Sequence, residues 1–177
     1  MPAYRPSSGR RYRWPELQLN IWLITVLVGS GVCLGVFAWF MVVQTQLRLG
    51  IPWLFPFMVT VGALGVAFVA TILILAAQRF LLPGIIIIGS FILFALWLTG
   101  LIETALQLYG GQANVNSNCQ NYVTNMQWTG NTVEALAWLT QNTICNCWKA
   151  AFAFELVNTI FYFWMMVMSW QVHKDAT

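Results

Sequence analysis

Four long apolar runs dominate this chain, covering 17–43, 52–77, 84–108 and 149–171. Each is long enough, as a helix rising 1.5 Å per residue, to cross a hydrocarbon core about 30 Å thick. In lipid no water pairs with a free backbone N–H or C=O, so a run of this kind is obliged to fold as a helix. Only 7% of the 177 residues are charged, against about a quarter in a soluble domain, so the rest of the chain has too little charge to solvate a globule around these runs. The expected fold class is all-α: an integral membrane, antiparallel four-helix bundle. The first run is too long for a cleaved signal and lacks a small-residue cleavage site, so all four are expected to stay.

The connections are unequal. Two are short: 44–51 contains Gly50, followed by Pro52, and 78–83 contains Arg79 and Pro83. The third, 109–148, is long and rich in Asn, Gln, Gly and Thr. Orientation follows from basic residues near the span ends. Arg5, Arg10, Arg11, Arg13, Arg79 and Lys174 fall on the side of the termini, and only Arg48 and Lys149 on the other. This predicts cytosolic tails at 1–16 and 172–177, with the long loop outside or in the lumen of the secretory pathway. The formal charge is +3, with the basic residues gathered at one terminus, so nucleic-acid binding has no support. Arg10, Arg11 and Arg13 fit either a lipid-headgroup contact or a plain topology signal.

Of four cysteines, Cys33 lies mid-span and reads as a packing residue, while Cys119, Cys145 and Cys147 share the long loop. An oxidising compartment favours one intramolecular disulfide there, from Cys119 to Cys145 or Cys147, tying the loop to the start of the last span. The lone histidine, His173, falls in the opposite tail, so no metal site is expected. The segment 131–141 reads as a short helix lying flat on the bundle or at the membrane interface, with Asn131 or Thr132 as cap.

Two acids fall inside spans. On the last span Glu155, Asn158, Thr159 and Tyr162 follow an i, i+3, i+4, i+7 pattern and form one polar stripe that must face protein or water. With Glu103 and Lys149 they make a candidate intramembrane polar cluster. The favoured reading is an interhelical hydrogen-bonded cluster; the alternative is a small ion or proton transport subunit using Glu103 and Glu155. Small residues line two helices, Gly31 and Gly35 on the first and Gly62, Ala63 and Ala67 on the second. Packing of these two faces on each other is expected in preference to a dimer interface. No nucleophile with a base in reach, phosphate cradle or paired metal ligands is visible, so neither an enzyme nor a cofactor is expected.

The stretch Phe94-Ala-Leu-Trp97-Leu-Thr-Gly-Leu-Ile in the third span and Cys145-Asn-Cys-Trp-Lys149-Ala-Ala-Phe-Ala-Phe154 entering the fourth resemble the MARVEL-domain group of tetraspan proteins, particularly its fungal members. A claudin-type protein carries its signature loop between the first two helices. Tetraspanins carry a Cys-Cys-Gly motif in theirs, and neither pattern matches. The resemblance implies a non-enzymatic tetraspan of plasma membrane or vesicles that helps organise lateral membrane domains, membrane curvature or the trafficking of partner proteins. The extra Cys147, the length of the loop and the acids Glu103 and Glu155 depart from the family pattern and leave room for a divergent family or a dedicated accessory subunit to other membrane proteins. The last span carries many aromatic and methionine side chains, among them Phe161, Phe163, Trp164, Met165, Met166 and Trp170, a surface suited to protein partners, to a second copy or to lipid.

Overall fold

The computed structural model describes residues 16–48, 50–78, 83–111, 114–124 and 133–175. Arg10, Arg11, Arg13 and Arg79 lie outside them. The elements in order are α1 (Glu16–Gln46), α2 (Leu54–Ala77), α3 (Pro83–Tyr109), the short α4 (Val115–Cys119), a π-helical turn (Gln120–Thr124) and α5 (Val133–Asp175). Four of these, α1, α2, α3 and α5, are long and apolar enough to cross a bilayer. The protein is an all-α integral membrane protein.

Helix boundaries follow local chemistry. α1 ends where Arg48 turns into the left-handed region at φ 54°, and Pro52 then starts a fresh turn by accepting from the Phe55 N–H at 3.1 Å. Pro56 sits in the first turn of α2, where a missing N–H costs least. α4 is capped by Asn114, whose side chain accepts from the Ser117 N–H at 2.7 Å.

α5 corrects one expectation. Residues 133–141 do not form a separate helix lying flat on the bundle; they are the first turns of a single 43-residue helix. Its length is about 64 Å, roughly twice a hydrocarbon core. The reason is visible in the sequence: 133–175 contains neither Gly nor Pro. The polar run at 141–146, which reads as loop by composition, instead bonds along the helix. Thr143 Oγ1 donates to the Leu139 carbonyl at 2.9 Å and Asn146 Nδ2 to Asn142 Oδ1 at 3.3 Å.

The bundle core is made by buried stripes from all four long helices. On α3 the buried residues are Ile86, Ser90, Leu93, Trp97, Gly100, Thr104 and Leu108, in steps of three and four as in a coiled-coil seam. They pack on α5, which runs antiparallel. At the end of the bundle next to α4, Phe37 and Phe40 of α1, Phe55 of α2 and Trp148 of α5 form one ring cluster, with Phe40 stacked on Trp148 at a centroid distance of 5.3 Å. Trp148, just before the fourth apolar run, is buried inside the bundle. Trp53, Tyr109 and Trp170 are exposed.

Candidate functional site

Glu155, Asn158 and Tyr162 are completely buried and Thr159 nearly so. A carboxyl in hydrocarbon needs partners, and α3 supplies one: Thr104 Oγ1 donates to Glu155 Oε1 at 3.1 Å. Thr159 Oγ1 bonds back to the Glu155 carbonyl at 2.8 Å, the local pairing expected of a helical Thr. One turn from Glu155, Cys33 Sγ of α1 donates to the Ala151 carbonyl at 3.8 Å.

Further along α5, the Asn158 amide occupies the place that a side chain on Gly29 of α1 would take. Tyr162 Oη meets Ser30 of α1 and Trp97 of α3 beside Gly65 of α2. A methyl group on Gly65 would stand 2.5 Å from Ser30 Oγ and 3.1 Å from Tyr162 Oη. Tyr162 thus brings together side chains or backbone from all four spanning helices. Ser30 Oγ and Trp97 Nε1 are close enough to Tyr162 to interact with it, yet none of the three groups is in hydrogen-bonding geometry.

The two outlying members of the expected cluster do not join it. Lys149 is exposed, because six residues separate it from Glu155 and carry it around the helix to another face. Glu103 is half-buried and accepts from Gln107 Nε2 of its own helix at 3.3 Å. Its neighbour Thr104 is the residue that meets Glu155. The two acids therefore serve different partners and do not line one site.

Sequence reasoning missed Ser30, Ser90, Trp97, Thr104 and Ser169 as buried polar participants. The sequence does carry a signal for most of them. Ser90, Trp97 and Thr104 are seven residues apart on α3, and Glu155, Tyr162 and Ser169 are seven apart on α5. In antiparallel register Thr104 meets Glu155 and Trp97 meets Tyr162, and the same register sets buried Ser90 at the level of buried Ser169. The interface thus carries three polar levels spaced about 10 Å apart.

Small-residue packing also differs from expectation. Gly31 and Gly35 face outward, and a methyl group on either would meet nothing within 4 Å; Ala63 and Ala67 are exposed too. Of the expected set only Gly62 is buried, against Leu34 and the Ser30 carbonyl. The close contact of α1 and α2 runs instead through Ser30, Gly62 and Gly65, roughly a quarter turn around α1 from Gly31.

A second cluster lies next to the bundle. Cys119 of α4 is disulfide-bonded to Cys145 of α5, with Cα atoms 5.9 Å apart. Cys147, two residues on, faces another side of the helix and is free. Val123 and Trp138 pack around the disulfide, and Trp138 Nε1 donates to the Val123 carbonyl at 3.0 Å. Trp138 therefore seats on the π-helical turn. The chain matches no protein-family model, no curated protein and no solved structure.

Proposed function

We propose that this protein is a non-enzymatic tetraspan that associates laterally with other membrane proteins, organising a membrane domain or serving as an accessory subunit. The observation that carries this reading is the outward face of α1. Ile24, Val28, Trp39 and Val42 are exposed, and exposed Gly31 and Gly35 sit between them. The steps are again threes and fours, so one continuous seam is left unpacked, with its two glycines at the middle, where a foreign helix approaches most closely. α5 adds exposed Phe163, Trp164 and Trp170, which suit lipid or an adaptable protein contact.

The resemblance of the third and fourth spans to the MARVEL-domain group supports the same reading and suggests the plasma membrane or secretory pathway; the basic residues gathered on the side of the termini favour a cytosolic position for both. The disulfide is in keeping with the α4 end facing an oxidising compartment. A transport subunit built on Glu103 and Glu155 together gains no support, because the two carboxyls have separate partners.

Crosslinking in native membranes before solubilisation tests the proposal. Crosslinks from the outward face of α1 to another chain are expected, and they should weaken in Gly31→Leu. A crosslink map containing intrachain links alone contradicts it.

A further inference from the structure

Glu103 is the spanning acid that the bundle does not enclose. It lies six residues before the end of α3 at Tyr109, about 9 Å in from that end. It is half-buried, and Thr99, Ile102, Leu106 and Gln107 around it are exposed. Its hydrogen bond comes from Gln107 Nε2, one turn on along the same helix, and among the described residues no cation reaches it. A carboxyl open to the lipid side of a span is costly and ordinarily marks a pairing. Escape to the headgroups runs against the geometry, because side chains on a helix lean towards its N-terminus. For Glu103 that direction leads deeper into the membrane and away from the nearer surface.

The surroundings name the chemistry that fits. A methyl group on Gly100 would stand 3.7 Å from Phe57 Cε1 of α2, and Glu103 follows three residues later, roughly 60° around the helix. Phe57 packs on exposed Trp53 at a centroid distance of 5.7 Å. The rim of α2 and α3 thus offers a carboxyl near an open indole ring, and both attract an ammonium or a guanidinium. A second copy of this chain does not supply one. Residues 17–43, 52–77, 84–108 and 150–171 contain no Lys, Arg or His. Lys149 lies about 9 Å along α5 from Glu155, the residue that Thr104, next to Glu103, meets.

We infer that Glu103, at the rim of α2 and α3 beside Trp53 and Phe57, pairs with an arginine or lysine on a spanning helix of a different protein. The inference rests on the lateral association proposed above and names the chemistry of the partner. A single polar contact between membrane helices is weak, so Glu103 selects a partner and does not hold it alone.

Synthetic spanning peptides of Leu and Ala test this in liposomes that hold the full chain. One peptide carries a single Arg about 9 Å inside one end, six residues along the helix, and the other carries Leu in its place. A photoreactive side chain replaces exposed Leu106 of the protein. The Arg peptide is expected to crosslink several-fold more than the Leu peptide, and the two to become equal in Glu103→Gln, which keeps the size of the side chain and an oxygen for Gln107. Equal yields in the protein with Glu103 intact overturn the inference, and so does an Arg preference that survives in Glu103→Gln. Neither result touches association through α1, which crosslinking from that face in native membranes reads separately. A crosslink to a second copy, seen without peptide and lost in Lys149→Gln, would assign the carboxyl to Lys149 and overturn the inference as well.

Discussion

Thr104 of α3 and Glu155 of α5 face each other across the antiparallel interface, joined by a 3.1 Å hydrogen bond, and they set the register for the two polar levels beyond them. A bond of this kind between membrane helices contributes about 1 kcal/mol. Thr104→Val keeps the shape and removes the donor. We expect it to lower unfolding free energy by about 1 kcal/mol, with up to about 3 kcal/mol if the carboxyl is left without a substitute. Steric-trapping measurements in bicelles check the value, and an unchanged stability would mean that the bond does not set the register.

Glycine substitutions separate the inner from the outer face of α1 and α2. Gly65→Ala places a methyl 2.5 Å from Ser30 Oγ, so overpacking should cost about 1–3 kcal/mol. Gly31→Ala meets nothing within 4 Å, and the methyl should leave the isolated bundle as stable as before or slightly more so. Comparing the two variants by thermal unfolding in detergent gives the answer, and equal losses would contradict the assigned faces.

How far these faces are legible in the sequence depends on the period being read. Glu155, Asn158, Thr159 and Tyr162 follow the helical repeat closely enough to be grouped from their spacing alone, and the four spans announce themselves by length. The α1 and α2 contact does not, because Gly31 and Gly35 are as good a close-packing signal as Ser30, Gly62 and Gly65, and only the rotation of α1 about its axis decides between them. Glu103 matches Glu155 in approximate depth within the membrane, but depth says nothing of the face on which each sits, and Lys149 lies about 9 Å further along α5. The continuity of α5 is hidden by polar composition at 141–146, although the lack of Gly and Pro is in plain view.

The disulfide closes a stretch with 26 residues of sequence separation, so constraining the unfolded chain should contribute about 3 kcal/mol. Cys119→Ser is expected to lower thermal stability by that order and to release α4 and the π-helical turn, leaving the spanning helices inserted. Cys147→Ser should change neither. Differential scanning fluorimetry with non-reducing peptide mapping distinguishes these outcomes, and equal losses from the two variants would contradict the Cys119–Cys145 pairing.

The unbroken α5 makes a distance prediction. Spin labels on exposed Ala137 and Ile160, introduced without new cysteines, should lie about 34 Å apart in a narrow distribution, from 1.5 Å per residue. A segment folded flat against the bundle before residue 149 would give a shorter and broader distribution in pulsed electron resonance.

Lateral association is tested most directly by the native mass of the particle extracted from its own membrane into detergent-free nanodiscs. One chain is 20.0 kDa. The outward seam of Ile24, Val28, Gly31, Gly35, Trp39 and Val42 predicts a protein mass greater than this, from a second copy or a different partner, falling to the single-chain value in Gly31→Leu. A protein mass equal to one chain in the wild type would contradict it.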